Sequence, residues 1–133
     1  MPVVEVFMRR GRSPQRVEAI TDALHDALVE AYEVPRGDRF QIVHQHDAHE
    51  VVFDTDFMGG PRTDQFVLVR VMAGKPRPIE TKRKLFALMA EYLEQRAGVA
   101  QADIFIVVDN VQLSDISMSH GRPYDVALAE QLG

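Results

Sequence analysis

The sequence contains no cysteine and no tryptophan, and only three of its residues are tyrosine. Without cysteine the chain can form no disulfide, no thiolate metal site and no cysteine nucleophile, so any catalysis depends on other groups. No long apolar segment is present, and the apolar stretch at the start precedes its charges. We therefore expect no signal peptide, no membrane span and a cytoplasmic location.

Positive charge is also in deficit, because 15 lysines and arginines face 20 acidic residues and the net charge is −5. The basic residues form no single long run, which argues against a nucleic-acid partner. They gather instead at 9–12 and 75–84, each time directly after a predicted strand. Local positive charge on an acidic protein suits a small anionic substrate.

The first half of the chain predicts a strand, a helix and a second strand. A β-branched run at 3–8 is followed by apolar residues three or four apart, which is typical of an amphipathic helix. Ser13-Pro14 marks the start of that helix and Val34-Pro35 its end. The second strand covers 40–44.

The same order returns in the second half, with a strand at 66–72, a helix at 78–97 ended by Gly98, and a strand at 104–108. Pro14 and Pro78 occupy corresponding positions, and so do Met8 and Met72. We therefore interpret the chain as one domain, 1–133, with pseudo-repeats at about 2–60 and 66–120.

Two β-α-β units side by side predict an α+β fold, with a four-stranded mixed sheet and two helices on one face. The strands are apolar at nearly every position, so the other face should be covered too, most simply by further copies of the chain. A homo-oligomer is the expected state. We expect four phenylalanines in the core: Phe7, Phe40, Phe66 and Phe86.

Several motifs carry a resemblance to a known family. Pro2 directly follows Met1, Gly-Arg-Ser stands at 11–13, and the longest matching stretches are VPRGDRFQIVHQH at 34–46, MAGKPRPIETKRKLF at 72–86 and DISMSHGR at 115–122. With two fused β-α-β units, these motifs resemble the tautomerase superfamily, and most of all malonate semialdehyde decarboxylases and their relatives.

The resemblance implies a homotrimer with a catalytic proline in a pocket near each subunit boundary, and it implies no metal and no cofactor. Pro2 would be the catalytic amine once Met1 is removed, Asp38 its polar partner, and Arg77 the cation that binds a substrate carboxylate. On sequence alone, an ordinary turn carboxylate is the favoured interpretation of Asp38, and it is the resemblance that makes a functional role equally plausible.

Two departures from the resembled decarboxylases concern the substrate pocket. Their Arg-Pro-Arg is Lys75-Pro76-Arg77 here, and Ile116 replaces a tryptophan. A lysine is a point charge and lacks the planar fork of arginine, so it grips a carboxylate less specifically. Lys75 and Ile116 are therefore predicted substrate-binding positions that alter the pocket.

Arg12 is a further candidate, because Arg12, Lys75 and Arg77 all follow strands, where open α/β sheets usually bind ligands. Such cations can neutralise a carboxylate or a developing enolate, although arginines near helix starts are as often simply solvated. His44, His46 and His49 suggest a metal, but no carboxylate stands at ligand spacing. We interpret them as structural histidines and predict no metal site.

A terminal proline offers a secondary amine, which titrates closer to neutrality than lysine. It can act as a general base, as an acid that polarises a carbonyl, or as a nucleophile that forms an iminium. The sequence thus supports two hypotheses. One is a cofactor-independent tautomerase, isomerase or decarboxylase (lyase) acting on a small carboxylate; the other is a non-catalytic trimeric binding protein that keeps the pocket.

Overall fold

A computed structural model describes residues 1–132 of the chain. Its main sheet has the strand order β2-β1-β3-β4. The two outer pairs, β1 with β2 and β3 with β4, are parallel, whereas the central strands β1 and β3 are antiparallel. The strands are β1 (Pro2–Arg9), β2 (Gln41–His46), β3 (Val67–Ala73) and β4 (Ile104–Asn110). The predicted four-stranded mixed sheet is confirmed.

Two long helices, α1 (Pro14–Tyr32) and α2 (Ile79–Ala97), pack against each other on one face of this sheet. Ser13 caps α1, since its hydroxyl accepts a hydrogen bond from the Arg16 backbone N–H at 3.2 Å. Gly98 ends α2 in the left-handed conformation, with φ of 66°. These helix ends were predicted from the sequence and are confirmed.

The core lies between the sheet and the two helices. Alternate residues of the central strands point into it, which fixes the register, because a shift by one residue would expose them all. Each fully buried aliphatic side chain contributes about 1.5–3 kcal/mol. The fully buried large side chains are Val4, Val6, Met8, Ile20, Leu24, Leu28, Val67, Val69, Val71, Leu85, Met89 and Leu93.

The other face of the sheet carries a polar centre, so the expectation of apolar residues at nearly every position is wrong there. Arg70 donates from Nε to Asp109 Oδ2 at 2.6 Å, and its Nη1 lies 3.6 Å from Glu5 Oε1. Glu5 also contacts His44 Nε2 at 2.9 Å. The cause is the register, which places Glu5 opposite Arg70 on adjacent strands. Apolar side chains flank this polar centre.

Of the four phenylalanines expected in the core, only Phe66 is buried, at 5% exposure. Phe40 and Phe86 are 46% and 37% exposed, and Phe7 stacks on His44 on the open sheet face. Hydrophobic periodicity identifies a strand or a helix, but it does not show whether another part of the protein covers a given face of that element.

The C-terminal segment was not predicted as regular structure. It forms a small antiparallel hairpin, β5 (Ser117–Ser119) and β6 (Arg122–Pro123), followed by helix α3 (Tyr124–Leu132). None of the α3 residues is buried. Within residues 1–132 no helix is both long and apolar enough to cross a bilayer. The internal duplication stays a prediction.

Candidate functional site

The N-terminus lies at one end of the sheet, between two turns. Because β1 and β3 are antiparallel, Pro2 pairs with Ala73, and the Gly74 N–H donates to the Met1 carbonyl at 2.9 Å. Since β2 runs parallel to β1, the turn that precedes β2 reaches the same end, where the Val4 N–H donates to the Phe40 carbonyl at 2.9 Å. We call this the proline end of the sheet.

Asp38 is placed beside the terminal amine. Its Oδ2 lies 3.4 Å from the Met1 ammonium, and the side chains of Met1 and Asp38 are only 6% and 16% exposed. The other oxygen, Oδ1, is buried and has no hydrogen-bond partner within residues 1–132. Such an unsatisfied buried acceptor is uncommon in folded proteins. The carboxylate can therefore interact with a terminal amine and still accept another donor.

Ile116 also lies at the proline end. A Cβ placed on Gly74 would stand 3.3 Å from Ile116 Cδ1 and 3.2 Å from the Met1 carbonyl oxygen. The chain thus needs glycine at position 74 for close packing of these groups. Ile116, predicted as a pocket position, is packed beside the start of the chain.

A cavity of about 460 Å³ at the proline end contains Arg77 and Lys75. It lies between the end of α1 and the turn that leads into α2. The Arg77 guanidinium stacks over the Tyr32 ring, with Cζ 4.3 Å from the ring centroid, and Nη1 donates to the Lys75 carbonyl at 3.0 Å. The lining residues are Glu30, Ala31, Tyr32, Glu33, Lys75, Pro76, Arg77, Pro78, Thr81 and Lys84.

Arg77 is half-buried and has no ion-pair partner in the part of the chain that the structure describes. Burial lowers its pKa from the ordinary arginine value, although arginine stays protonated at neutral pH. A partly desolvated cation without a counter-ion favours an incoming anion, because the cost of its desolvation has already been met. This is the strongest electrostatic indication of an anion site at the proline end.

Neither Pro2 nor Asp38 lines the Arg77 cavity. A single chain therefore brings two groups of side chains to the proline end: an amine and carboxylate pair at the start of β1, and a cation in the cavity after β3. Pro2, Asp38, Lys75, Arg77 and Ile116 all belong to this end.

Arg12 lies at the other end of the sheet, which we call the distal end. It is 7% exposed, and its Nη2 donates to the Gln65 carbonyl at 2.5 Å. Burial lowers its pKa. Because β1 and β3 are antiparallel, the turns that follow them lie at opposite ends. The expectation that Arg12 and Arg77 line one crevice is therefore wrong within a single chain, and a role for Arg12 in substrate binding would need the proline end of another copy.

Two of the histidines considered as metal ligands, His44 and His46, lie on the open sheet face with their ring centroids 6.5 Å apart. His49 is in a short 3-10 turn, Ala48–Glu50. Residues 1–132 contain no cluster of three or more histidine and acidic side chains arranged to hold a metal ion.

The sequence did not point to Tyr32, whose ring makes a cation–π contact with the Arg77 guanidinium. It is the last residue of α1, is 5% exposed, and has a buried hydroxyl without a hydrogen-bond partner within the described residues. The only signal was an aromatic residue at the end of a helix, and helix periodicity alone does not separate such a residue from the core.

Comparison with known families identifies the class of protein. A family model described as "Tautomerase enzyme" matches residues 38–119, and a second model with the same description matches residues 2–60. The chain belongs to the tautomerase family. This agrees with the resemblance drawn from the sequence motifs.

Individual relatives sharpen the comparison. The chain is 35% identical to a probable tautomerase, YrdN, of Bacillus subtilis (strain 168), over 92% of this chain and 94% of the relative. Among solved structures it is similar to a malonate semialdehyde decarboxylase, with 30% identity, a TM-score of 0.88 and coverage of 96% of this chain and 98% of the other. A malonate semialdehyde decarboxylase inhibited by 3-bromopropiolate gives 34% identity, a TM-score of 0.88 and 96% coverage of both chains.

A more distant structure, a symmetric trimer of wild-type fused 4-OT, shares the fold with a TM-score of 0.78 at 21% identity. It covers 94% of this chain and 98% of its own. The fold of the chain is therefore that of the tautomerase superfamily over nearly its whole length.

Proposed function

We propose that the chain, after removal of Met1, is a cofactor-independent enzyme that uses the secondary amine of Pro2 on small oxo or unsaturated carboxylic acids. Keto-enol tautomerisation is the general activity. Decarboxylation of a 3-oxo acid such as malonate semialdehyde, or hydration of an unsaturated acid, is the specialised one. Arg77 binds the substrate carboxylate, Asp38 orients the amine or a water, and Lys75 and Ile116 shape the pocket.

The single observation that carries the proposal is that Asp38 lies at the start of the chain, 3.4 Å from the nitrogen of Met1, which precedes Pro2, at the same end of the sheet as an unpaired, half-buried Arg77. A substrate of this class needs a group that exchanges a proton or attacks a carbonyl, and a cation for its carboxylate. Removal of Met1 would leave the nitrogen of buried Pro2 as the chain terminus.

The related structures support the choice of substrate class. One is a malonate semialdehyde decarboxylase studied for decarboxylase and hydratase activities, together with a variant whose proline is replaced by alanine. The other is inhibited by 3-bromopropiolate, a three-carbon acetylenic carboxylate. Small three-carbon acids are therefore the first compounds to assay.

We further infer that the chain forms a homotrimer. A related fold with fused repeats is a symmetric trimer. The open sheet face of this chain exposes Ile42 at 56% and Phe105 at 45%, and helix α3 has no buried residue. Apolar surface of this kind is stabilised when another copy covers it. In such a ring the distal end of one chain can approach the proline end of another.

The chemistry of decarboxylation follows from these groups. If protonated Pro2 donates to the C3 carbonyl oxygen of malonate semialdehyde, the C1–C2 bond breaks, carbon dioxide leaves, and its bonding electrons form the enol of acetaldehyde. That enol then takes a proton from water at C2 and returns its hydroxyl proton to the Pro2 nitrogen, which gives acetaldehyde and restores the protonated amine. We propose the acid role over the base role, because a carboxylate close to an amine generally favours its charged form.

The first test replaces Pro2 with alanine and uses Pro14→Ala, at the start of α1, as the matched control. We expect kcat/KM to fall by about 100-fold or more in Pro2→Ala, the loss typical of a general acid or base, and to change little in Pro14→Ala. Full activity of Pro2→Ala with oxo, unsaturated and acetylenic acids would contradict the proposal and favour a non-catalytic binding protein.

The same assay separates the possible roles of Pro2. Activity that falls as a terminal group deprotonates indicates an acid, and activity that rises indicates a base. If the acid role holds, Asp38→Asn lowers the pH above which activity is lost. Borohydride trapping of a 3-oxo acid on residue 2 would indicate an iminium instead.

A further inference from the structure

The contact between Tyr32 and Arg77 is the feature of the proline end that the proposed function leaves unused. Tyr32 is 5% exposed and closes one side of the cavity that contains Arg77. Its hydroxyl is buried and unpartnered among residues 1–132, although buried tyrosine hydroxyls usually find a hydrogen-bond partner. The contact with Arg77 is made by the ring and not by this hydroxyl.

The Arg77 cation lies over the face of the Tyr32 ring. Arg77 Cζ lies 4.3 Å from the Tyr32 ring centroid, well within the range of a cation–π interaction. Pro76 and Pro78 restrict the backbone on both sides, and the bond from Nη1 to the Lys75 carbonyl stays within the same turn. Apart from Nη1, the guanidinium N–H groups have no acceptor among residues 1–132, so they remain available to bind a carboxylate.

We propose that Tyr32 is a positioning residue that holds Arg77 in the orientation needed to bind a substrate carboxylate. The proposal rests on the function assigned to Arg77 above. Its physical basis is preorganisation: a stacked arginine loses less freedom on binding than one that samples many rotamers. The contribution therefore appears in carboxylate affinity and not in the proton-transfer step.

The test compares Tyr32→Leu, which removes the ring, with Tyr32→Phe, which keeps it. Malonate is the probe, and its Kd is measured by calorimetry on the full chain, so the result does not depend on turnover. We expect Tyr32→Leu to weaken malonate binding about tenfold, equivalent to about 1.4 kcal/mol, and Tyr32→Phe to restore affinity to within about twofold of the original. Equal affinities of Tyr32→Leu and the unchanged chain would overturn the proposal.

Phe53→Leu is the matched control, because Phe53 makes the corresponding contact with Arg9 at the distal end, at 4.8 Å. Phe53→Leu should leave malonate affinity unchanged. If it weakens malonate binding as much as Tyr32→Leu does, the loss in both variants comes from a general loss of stability and the positioning role is wrong. In kinetic assays Tyr32→Leu should raise KM for a carboxylic acid but not for its methyl ester, and kcat should stay close to the original value. A loss shared by acid and ester would contradict a positioning role.

Two results separate this proposal from the proposed function. If Arg77→Ala weakens malonate binding and Tyr32→Leu does not, the positioning role alone is wrong. If Arg77→Ala itself has no effect, the carboxylate site is wrong and the positioning role with it. Should Tyr32→Leu fail to fold, proton NMR of the unchanged chain decides: upfield ring-current shifts of the Arg77 side-chain protons support the stack, and their absence overturns it.

Discussion

The two ends of the sheet use their arginines differently. At the distal end, Arg9 donates to the Val51 carbonyl at 2.7 Å and Arg12 to the Gln65 carbonyl at 2.5 Å, and both acceptors are distant in sequence. At the proline end, the hydrogen bond of Arg77 stays within its own turn. The distal arginines thus hydrogen-bond a long connection to the sheet, whereas the distant contact of Arg77 is with the ring of Tyr32 and uses none of its N–H groups. A charged side chain whose N–H groups bind no distant segment is the better candidate for binding a ligand.

The distal end also has its own cavity, and its chemistry differs. A groove of about 570 Å³ lies there, and most of its lining is apolar or aromatic, including Phe7, Phe53 and Phe105. It is the larger of the two cavities, yet it contains neither the terminal amine nor Asp38. The distal end also holds buried side-chain atoms without a partner among residues 1–132, namely Arg9 Nε, Arg12 Nε and Gln65 Oε1. The proposed chemistry is therefore assigned to the proline end on Asp38 and on Arg77, which has no ion-pair partner in the described residues, and not on cavity size.

Arg77→Ala should give the largest effect among the variants that separate the two ends. We expect kcat/KM for carboxylate substrates to fall about 10- to 100-fold, because a charged hydrogen bond is worth about 1.5–3 kcal/mol, with little change in Tm. Arg83→Ala, an exposed residue of α2, is the control. If activity and Tm both fall substantially, Arg77 has a structural role, and the proposed difference between the two ends is wrong.

Arg12→Ala should lower stability more than it affects substrate binding, which is the reverse of the result expected for Arg77→Ala. Loss of a buried guanidinium that binds the Gln65 carbonyl is expected to lower stability by about 2–3 kcal/mol, measured by urea unfolding, while KM changes little. If instead KM rises and stability is unchanged, Arg12 binds substrate, as the sequence analysis expected, but at the proline end of a neighbouring copy. That result would mean that the distal end of one copy and the proline end of another together form one composite site.

Lys75→Arg should have the smallest effect. Lys75 lines the Arg77 cavity but is exposed, so an interaction of less than about 1 kcal/mol is expected, which is less than about fivefold in a rate constant. The change adds a second guanidinium beside Arg77, as in the resembled decarboxylases, and its planar donors can bind a carboxylate through two hydrogen bonds. It should shift preference from tautomerisation toward decarboxylation. The ratio of the two rates is the measurement, and an unchanged ratio would show that Lys75 does not reach the substrate.

The sequence predicted the six long elements because each has a clear period and a chemical boundary. Ser13 and Gly98 are good examples, since the first caps α1 and the second ends α2. The hairpin β5–β6 and helix α3 were missed because the strands have three and two residues, too short for a period to appear. The positive φ of His120 and Gly121 marks their turn, and the His-Gly pair was the available signal.

The candidate site was predicted in part, and the reasons are geometric. Pro2, Asp38 and Arg77 came from the family resemblance, and the fold brings them to one end because β1 and β3 are antiparallel. That relation also places Arg12 at the other end, which no local pattern could reveal. Tyr32 was missed because its role depends on a contact across 45 positions of the chain, between the end of α1 and the turn before α2.

The central claim is that the working group is the secondary amine of Pro2, and intact-mass spectrometry of the purified protein tests it most directly. The account predicts a mass lower than that of the encoded chain by one methionine residue, which leaves Pro2 at the terminus. Retention of Met1 in active protein would contradict it, because the proline nitrogen would then be an amide without a basic lone pair.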